Sequence, residues 1–150
     1  MINSMRDQHG IVQSGYLLMA LLLSILVTGC ERTDDETALR RALETMQTAI
    51  ESRKTDTFMQ HISDDYRDEQ GGDVKALRRL LLFHFLRNRK IGVYITAQKL
   101  EMHGNLAKIS FNATLTGGEG LVPERARVYT VKTRWRKQGD QWKIYHAAWE

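Results

Sequence analysis

The first residue of this 150-residue chain that could do chemistry is Cys30, its only cysteine. A lone thiol has no partner for an internal disulfide. Cys30 follows an apolar run, residues 17–27, in which only Ser24 is polar, and the small residues Thr28 and Gly29 lead to it. A polar start, an apolar stretch and then small residues are typical of an export signal. In that position the thiol is better explained as an acyl acceptor than as a structural cysteine.

Acid–base chemistry has four candidates in the rest of the chain: His84, His146, Tyr66 and Asp64. Such chemistry needs groups that converge on a substrate and whose pKa values burial moves towards neutral pH. His84 falls on the apolar face of a predicted helix, and His146 alternates with Ile144 on a predicted strand, so both could face inward. Their more common roles are structural: a hydrogen-bonded core histidine, a core tyrosine, and a turn or cap aspartate. The strand faces predicted to point inward carry no carboxylate, which weakens the enzyme hypothesis.

Metal and phosphate binding have little support in the sequence. The five histidines are scattered, and no cysteine pair exists to complete a metal site. No glycine-rich phosphate-binding motif follows a predicted strand. We therefore expect no metal ion and no cofactor, and we expect His61 and His103 to be exposed.

The apolar run is too short to cross a membrane. Its eleven residues span roughly 17 Å as a helix, whereas the hydrocarbon core is about 30 Å thick. The tetrapeptide Val27-Thr28-Gly29-Cys30 resembles the lipobox of bacterial lipoproteins. The resemblance implies removal of residues 1–29 and lipid on Cys30, with residues 30–35 as a lipidated tether. An ordinary signal peptide with a chance cysteine is the alternative.

The resemblance also bears on location. Glu31, rather than an aspartate, follows the cysteine, which favours the outer membrane, facing the periplasm, over the inner membrane. Several acyl chains, each contributing about 0.8 kcal/mol per buried methylene, would hold the protein on the bilayer nearly permanently. The membrane is thus an expected partner through lipid on Cys30, and nucleic acid is not.

Charge is distributed unevenly along the exported part. Residues 31–73 hold 12 acids and 6 bases, whereas residues 74–150 hold 5 acids and 15 bases. Lys132, Arg134 and Arg136 alternate along one predicted strand face, and Lys108 and Lys143 are expected beside them. A solvated basic surface is the simplest explanation, and attraction to anionic lipid head groups is the functional alternative.

Hydrophobic periodicity predicts one α+β domain over residues 36–150. A helix is predicted from about Asp35 to Arg53, a short helix from Thr55 or Asp56, a polar loop over 63–72, and a helix over 73–88. Four strands are predicted to follow: one from Ile91 with a change of phase at 97–99, then strands at 107–115, 125–137 and 142–149. A mobile loop is predicted at 117–123. Helices followed by strands indicate helices covering one face of an antiparallel sheet.

This order resembles the nuclear transport factor 2-like superfamily, which includes SnoaL-type cyclases and ketosteroid isomerases. The resemblance rests on Lys54–Phe58, Ile62–Asp68, Met102–Ala107, Trp135–Lys137 with Gly139–Ile144, and Trp149. It implies a cone-shaped fold with three N-terminal helices on a curved antiparallel sheet, and a pocket between them. We expect this pocket to be lined by Phe58, Tyr66, His84, Phe85, Tyr129 and Trp135. The fold does not imply a reaction.

The sequence therefore predicts a lipid-anchored, non-catalytic domain that binds a small apolar ligand or a protein partner. One alternative is an isomerase or dehydratase of the ketosteroid isomerase kind. Another is an assembly module of an envelope complex, with homodimerisation through the outer sheet face. A deep cavity with two convergent titratable groups would favour the enzyme, and a filled core with an exposed apolar sheet patch would favour assembly.

Overall fold

The computed structural model of the chain describes residues 34–118 and 125–150. The order of elements is α1 (Asp34–Glu51), α2 (Thr55–Met59), β1 (Ile62–Asp68), α3 (Val74–Arg87), β2 (Lys90–His103), β3 (Leu106–Gly118), β4 (Arg125–Gln138) and β5 (Gln141–Trp149). The strands form one sheet in the order β1-β5-β4-β3-β2. The predicted signal segment, Cys30 and most of the predicted loop at 117–123 lie outside the described residues.

α1 forms where the spacing of apolar residues predicts it. Leu39, Leu43 and Met46 are buried at helical spacing. Three acidic residues lie in the first turn, where the positive end of the helix dipole stabilises negative charge. The helix ends at Glu51. Arg53, just after it, has a left-handed φ of 53°, and Lys54 N donates to Ala49 O at 2.8 Å. Because α1 begins at Asp34, the last two residues of the predicted tether belong to the helix.

The segment predicted as a loop over 63–72 begins with a strand, and this corrects the predicted sheet. β1 pairs in parallel with β5, Ile62 opposite Ile144 and Arg67 opposite His146. An irregularity between residues 62 and 67 breaks the alternation of buried and exposed residues, so the polar stretch lacks the period of a strand. The sheet is therefore mixed and has five strands, and only two of the three described helices precede it.

β2 and β3 confirm the predicted change of phase. The pairing shifts register between Thr96 and Lys99, and Ala97 has a φ of 52°. Val93 and Ile95 face inward before this bulge, and inward positions resume at Leu100 after it. A bulge inserts one residue into the strand and so restores the apolar face.

α1 also covers part of the free edge of β2. Gln47 Nε2 donates to the carbonyl oxygen of Val93 at 2.8 Å, and Glu51 Oε1 accepts from the Val93 N–H at 3.1 Å. An uncovered edge strand exposes such groups to pairing with other chains. The two side chains satisfy the outward backbone groups of Val93.

α3 begins and ends as predicted, but little of it is buried. Asp73 Oδ1 accepts from Ala76 N at 2.8 Å, which caps the first turn, and Asn88 Nδ2 donates to His84 O at 2.9 Å at the end. Within the helix only Phe85 is buried. In the described part of the chain, no helix is long and apolar enough to cross a membrane.

Candidate functional site

The inner face of the sheet is apolar from β2 to β5. Residues opposite one another on neighbouring strands share a face, and the register places Ile109, Thr133 and Ala147 in one inner row and Ala107, Trp135 and Ile144 in the next. Tyr66, Trp135 and Trp142 are fully buried in the core that covers this part of the inner face. Two of the six residues predicted to line a pocket, Tyr66 and Trp135, therefore fill the core.

Thr133 takes part in two hydrogen bonds in this part of the core. Trp135 Nε1 donates to Thr133 Oγ1 at 2.7 Å, and Thr133 Oγ1 donates to Ile109 O at 3.1 Å. A buried polar group is costly unless it is hydrogen-bonded. The Trp135 N–H and the Thr133 hydroxyl both have hydrogen-bond partners within the protein, so this arrangement is structural.

The other end of the inner face is more open. Ile91, Leu115 and Tyr129 are only half-buried there. Of the remaining predicted pocket residues, Phe58 is half-buried against the main core, and Phe85 is the buried residue of α3. Arg53 Nη1 donates to the Phe85 carbonyl oxygen at 3.5 Å.

His84 lies on the exposed side of α3. Its ring meets Phe83 edge-on, with ring centroids 5.6 Å apart. The inward face of the helix is centred on Phe85, with Leu77 and Leu81 half-buried beside it. α3 has apolar residues on all sides, so its periodicity does not show which side faces the core. For this reason the sequence pattern predicted an inward-facing His84.

His146 lies on the outer face of the sheet, because β5 contains a bulge. Arg134 is opposite His146, whereas the next residue, Trp135, is opposite Ile144, so Tyr145 is the extra residue. The buried positions of β5 are consequently Trp142, Ile144 and Ala147. Simple alternation from Ile144 placed His146 on the wrong face.

Tyr66 and Asp64 do not form an acid–base pair with either histidine. Burial raises the pKa of the Tyr66 hydroxyl far above its ordinary value, and the negative charge of Asp68 adds to this effect. The hydroxyl therefore stays protonated at neutral pH. Asp64 is exposed. Among the described residues, no hydrogen bond joins His84 or His146 to Asp64 or Tyr66.

Two polar features escaped the sequence analysis. Asp65 accepts hydrogen bonds from Ser63 and Arg136. His61 is half-buried rather than exposed; burial lowers its pKa, although a hydrogen bond to the Trp142 backbone opposes the shift. A Ser-x-Asp pattern was present at 63–65, but its meaning depended on recognising β1.

Two grooves lie on the helices and not inside the cone. One, of about 360 Å³, is lined on α1 and α2 by mainly polar residues that include Arg41, Glu44 and Thr48. The other, of about 410 Å³, runs between α2 and α3 past Asp56 and Arg78. Both are shallow, and most of the residues that line them are polar. In residues 34–118 and 125–150 no three His, Cys, Asp or Glu side chains are grouped as they would be around a metal ion.

Solved structures share this arrangement of helices and strands. A nuclear transport factor 2-like protein of unknown function from Pseudomonas putida KT2440 superposes with a TM-score of 0.67 at 17% identity, over 79% of this chain and 87% of that one. The chain has the nuclear transport factor 2-like fold. A provisionally named dehydratase of the nuclear transport factor 2-like family from Streptomyces avermitilis gives 0.67 at 14% identity, over 77% and 94%.

A further structural neighbour of this nuclear transport factor 2-like domain is Bd1075 from Bdellovibrio bacteriovorus, with a TM-score of 0.69 at 13% identity. The match covers 77% of this chain but only 41% of Bd1075. No protein-family model and no curated protein matches the sequence. The likeness is therefore one of fold, and the activity must be argued from this chain's own residues.

Proposed function

We propose that the protein is a non-catalytic lipoprotein of the bacterial envelope whose nuclear transport factor 2-like domain binds a protein partner through the outer face of its sheet. One observation carries the non-catalytic part. Tyr66, Trp135 and Trp142 fill the core. His84 and Asp64 are exposed, and among the described residues neither His84 nor His146 has a hydrogen bond to Asp64 or Tyr66. Acid–base catalysis requires such groups to converge on one substrate.

The partner surface is proposed from an uncharged row on the outer face that exposes two large apolar side chains. Tyr94 on β2 is opposite Thr114 on β3, which is opposite Val128 on β4. Tyr94 is 63% exposed and Val128 is 66% exposed. We call these three residues the sheet patch. Exposed apolar residues grouped in this way are typical of an interaction site.

The charges around the sheet patch favour a second copy of the chain as the partner. The rows on either side are uncharged: Gly92 with Thr116 and Ala126, and Thr96 with Asn112 and Thr130. The outer-face cations Lys108 and Arg134 are opposite each other and lie nearer the β2–β3 turn than the sheet patch does. Two copies can thus meet patch to patch about a twofold axis without bringing these cations together.

The anchor belongs to the same proposal. Its support is the lipobox-like Val27–Cys30 and the short apolar run before it. Lipid on Cys30 would hold the domain close to the bilayer because only three residues separate Cys30 from α1. We propose the outer membrane, facing the periplasm, on the basis of Glu31.

A small apolar ligand is the second candidate, and the half-buried Ile91, Leu115 and Tyr129 favour it. A non-catalytic apolar site needs side chains of this kind at its mouth. An isomerase or dehydratase has less support. The name of the Streptomyces avermitilis neighbour suggests it, but among the described residues no hydrogen bond from His84 or His146 to Tyr66 or Asp64 supports it.

Native mass spectrometry of the full-length protein, extracted from the envelope in detergent, tests the proposal. We expect a dimer that Val128→Lys converts to a monomer. Leu106→Lys, at an exposed position near the turn on the same face, is the matched control and should leave the dimer intact. A monomeric wild-type protein that retains a small-molecule mass would contradict the partner proposal and support the ligand.

A further inference from the structure

We propose that α3 is an interfacial helix that seats the domain on an anionic lipid surface, with its exposed leucine and phenylalanine side chains in the headgroup layer. The inference does not depend on a partner at the sheet patch. It concerns the orientation of the domain on the membrane, and it is carried by the exposure and charge of α3.

The exposed side of α3 is unusually apolar. Leu86 is 86% exposed and Phe83 is 51% exposed, and Leu80 and Leu82 are exposed as well. We call these four residues the α3 strip. Leu80, Phe83 and Leu86 are three residues apart, so they follow one side of the helix. The core side of the same helix is occupied by Phe85 with Leu77 and Leu81.

The strip is surrounded by positive charge. Residues 74–90 contain no Asp or Glu but six bases, which are Lys75, Arg78, Arg79, Arg87, Arg89 and Lys90. In the described part of the chain, Arg78 is the only one of the six with an ion-pair partner, Asp56 at 2.8 Å. The Arg87 guanidinium lies over the Phe83 ring, 5.2 Å from its centroid. Arg79 and Phe83 are one helical turn apart and share a side.

This combination fits a lipid surface better than a protein surface. Helices that lie in the membrane interface bury leucine and phenylalanine in the headgroup region while lysine and arginine contact anionic head groups. A second copy of α3 would bring two sets of six cations together, and like charges oppose that contact. Val74 and Leu77 also pack on the same core as α1, so α3 lies on the helical side of the sheet, away from the sheet patch.

The basic sheet face is the rival surface for the same lipid. There, however, Arg136 is paired with Asp65 at 2.7 Å, and Lys132 lies 3.6 Å from Glu150. Lys99, on the edge strand β2, is paired with Glu101 at 2.9 Å. These pairs reduce the charge that the sheet face offers to lipid. Among the described residues, Leu106 is the one large apolar side chain exposed beside these cations, whereas α3 exposes four.

Depth measurements on the full-length protein in vesicles distinguish the two surfaces. Leu86→Cys and Lys132→Cys each place one environment-sensitive fluorophore on the chain, one on α3 and one on the sheet face. Protein without an introduced cysteine gives the background from Cys30. The vesicles contain phosphatidylcholine alone or phosphatidylcholine with phosphatidylglycerol, and brominated acyl chains quench fluorophores that reach the membrane.

We expect the fluorophore at 86 to be quenched in anionic vesicles at low salt and to be released at high salt, whereas the fluorophore at 132 is not quenched. Each of Arg79→Gln and Arg87→Gln should weaken the vesicle contact about fivefold, the equivalent of roughly 1 kcal/mol per cation. Arg41→Gln, on the exposed side of α1, is the control and should have less effect.

Quenching at 132 and not at 86 would overturn the inference in favour of the sheet face. Equal behaviour in neutral and anionic vesicles would overturn it too. A response of the fluorophore at 86 that depends on protein concentration and needs no lipid would show that a second copy or another protein covers α3. Native mass spectrometry reports the dimer independently, so failure here is distinguishable from failure at the sheet patch.

Discussion

Nη2 of Arg136 on β4 reaches across β5 and binds both carboxylate oxygens of Asp65 on β1, at 2.8 and 2.7 Å. The guanidinium lies over the Tyr145 ring, 5.1 Å from its centroid, so the bridge passes above the extra residue of the β5 bulge. Ser63 Oγ donates to Asp65 at 2.6 Å and accepts from Gln138 Nε2 at 2.7 Å. These contacts join the parallel edge strand to the centre of the sheet.

The contribution of Asp65 to stability should disappear in acid. The hydrogen bond from Ser63 and the contact with Arg136 hold the pKa of Asp65 below its ordinary value of 3.8. Because the pKa is lower in the folded state, the stabilisation is complete well above pH 3.8 and is lost as pH falls through the folded-state value. We expect Asp65→Asn to lower the urea midpoint more at neutral pH than near pH 3. Asp64→Asn, at the exposed neighbouring position, should change neither value.

Thr133→Val should destabilise the protein by about 1–3 kcal/mol, since it leaves the buried Trp135 N–H without an acceptor. Valine has nearly the shape of threonine, so packing is retained and the hydroxyl is the group that is removed. Thr133→Ser keeps the hydroxyl and should cost less. Equilibrium unfolding in urea measures both, and a valine variant as stable as the serine variant would contradict the assigned hydrogen bonds.

His61 should make the protein less stable in mild acid. Burial is the main cause that lowers its pKa from 6.5. Because the unfolded chain then binds the proton more tightly, stability is complete above pH 6.5 and falls as pH drops from there to the folded-state pKa. We expect the melting temperature to decrease between about pH 7.5 and pH 5.5, and His61→Gln to reduce that decrease. His103→Gln, at an exposed position, is the control and should retain the wild-type slope.

Cys30→Ser tests the proposed anchor. The lone thiol after the apolar run is the expected acyl acceptor, so the variant should accumulate as an unlipidated or uncleaved precursor. Metabolic labelling with a fatty acid followed by gel fluorography measures this directly. Wild-type protein should carry the label, and label in the serine variant would show that the lipid, if any, is attached elsewhere.

Proton transfer in the cone is not expected, and His84→Ala tests this. The side chain is exposed on α3 and has no carboxylate partner among the described residues. We therefore expect no turnover of a ketosteroid-like substrate by the wild-type protein and no change in the variant. Turnover that His84→Ala abolishes, while His103→Ala retains it, would restore the enzyme alternative.

The sequence determined the elements whose signals are local. The helical spacing of Leu39, Leu43 and Met46 predicted α1, and alternation with one change of phase predicted β2 and its bulge at Ala97. The capping aspartate Asp73 predicted the start of α3. In each case the residues that define the element lie within one or two turns or a few strand positions of each other, so neighbouring residues suffice to reveal it.

Tertiary structure decided what depends on distant partners. β1 is short and polar, and it is a strand because β5, some eighty residues later, pairs with it. His146 faces outward because Tyr145 bulges against β4, and Arg136 meets Asp65 only across that bulge. The exposure of Leu86 could not be predicted from the sequence either. An apolar side of a helix has the same sequence pattern whether or not another element covers it. Burial is a property of what packs against a residue, and local periodicity does not contain it.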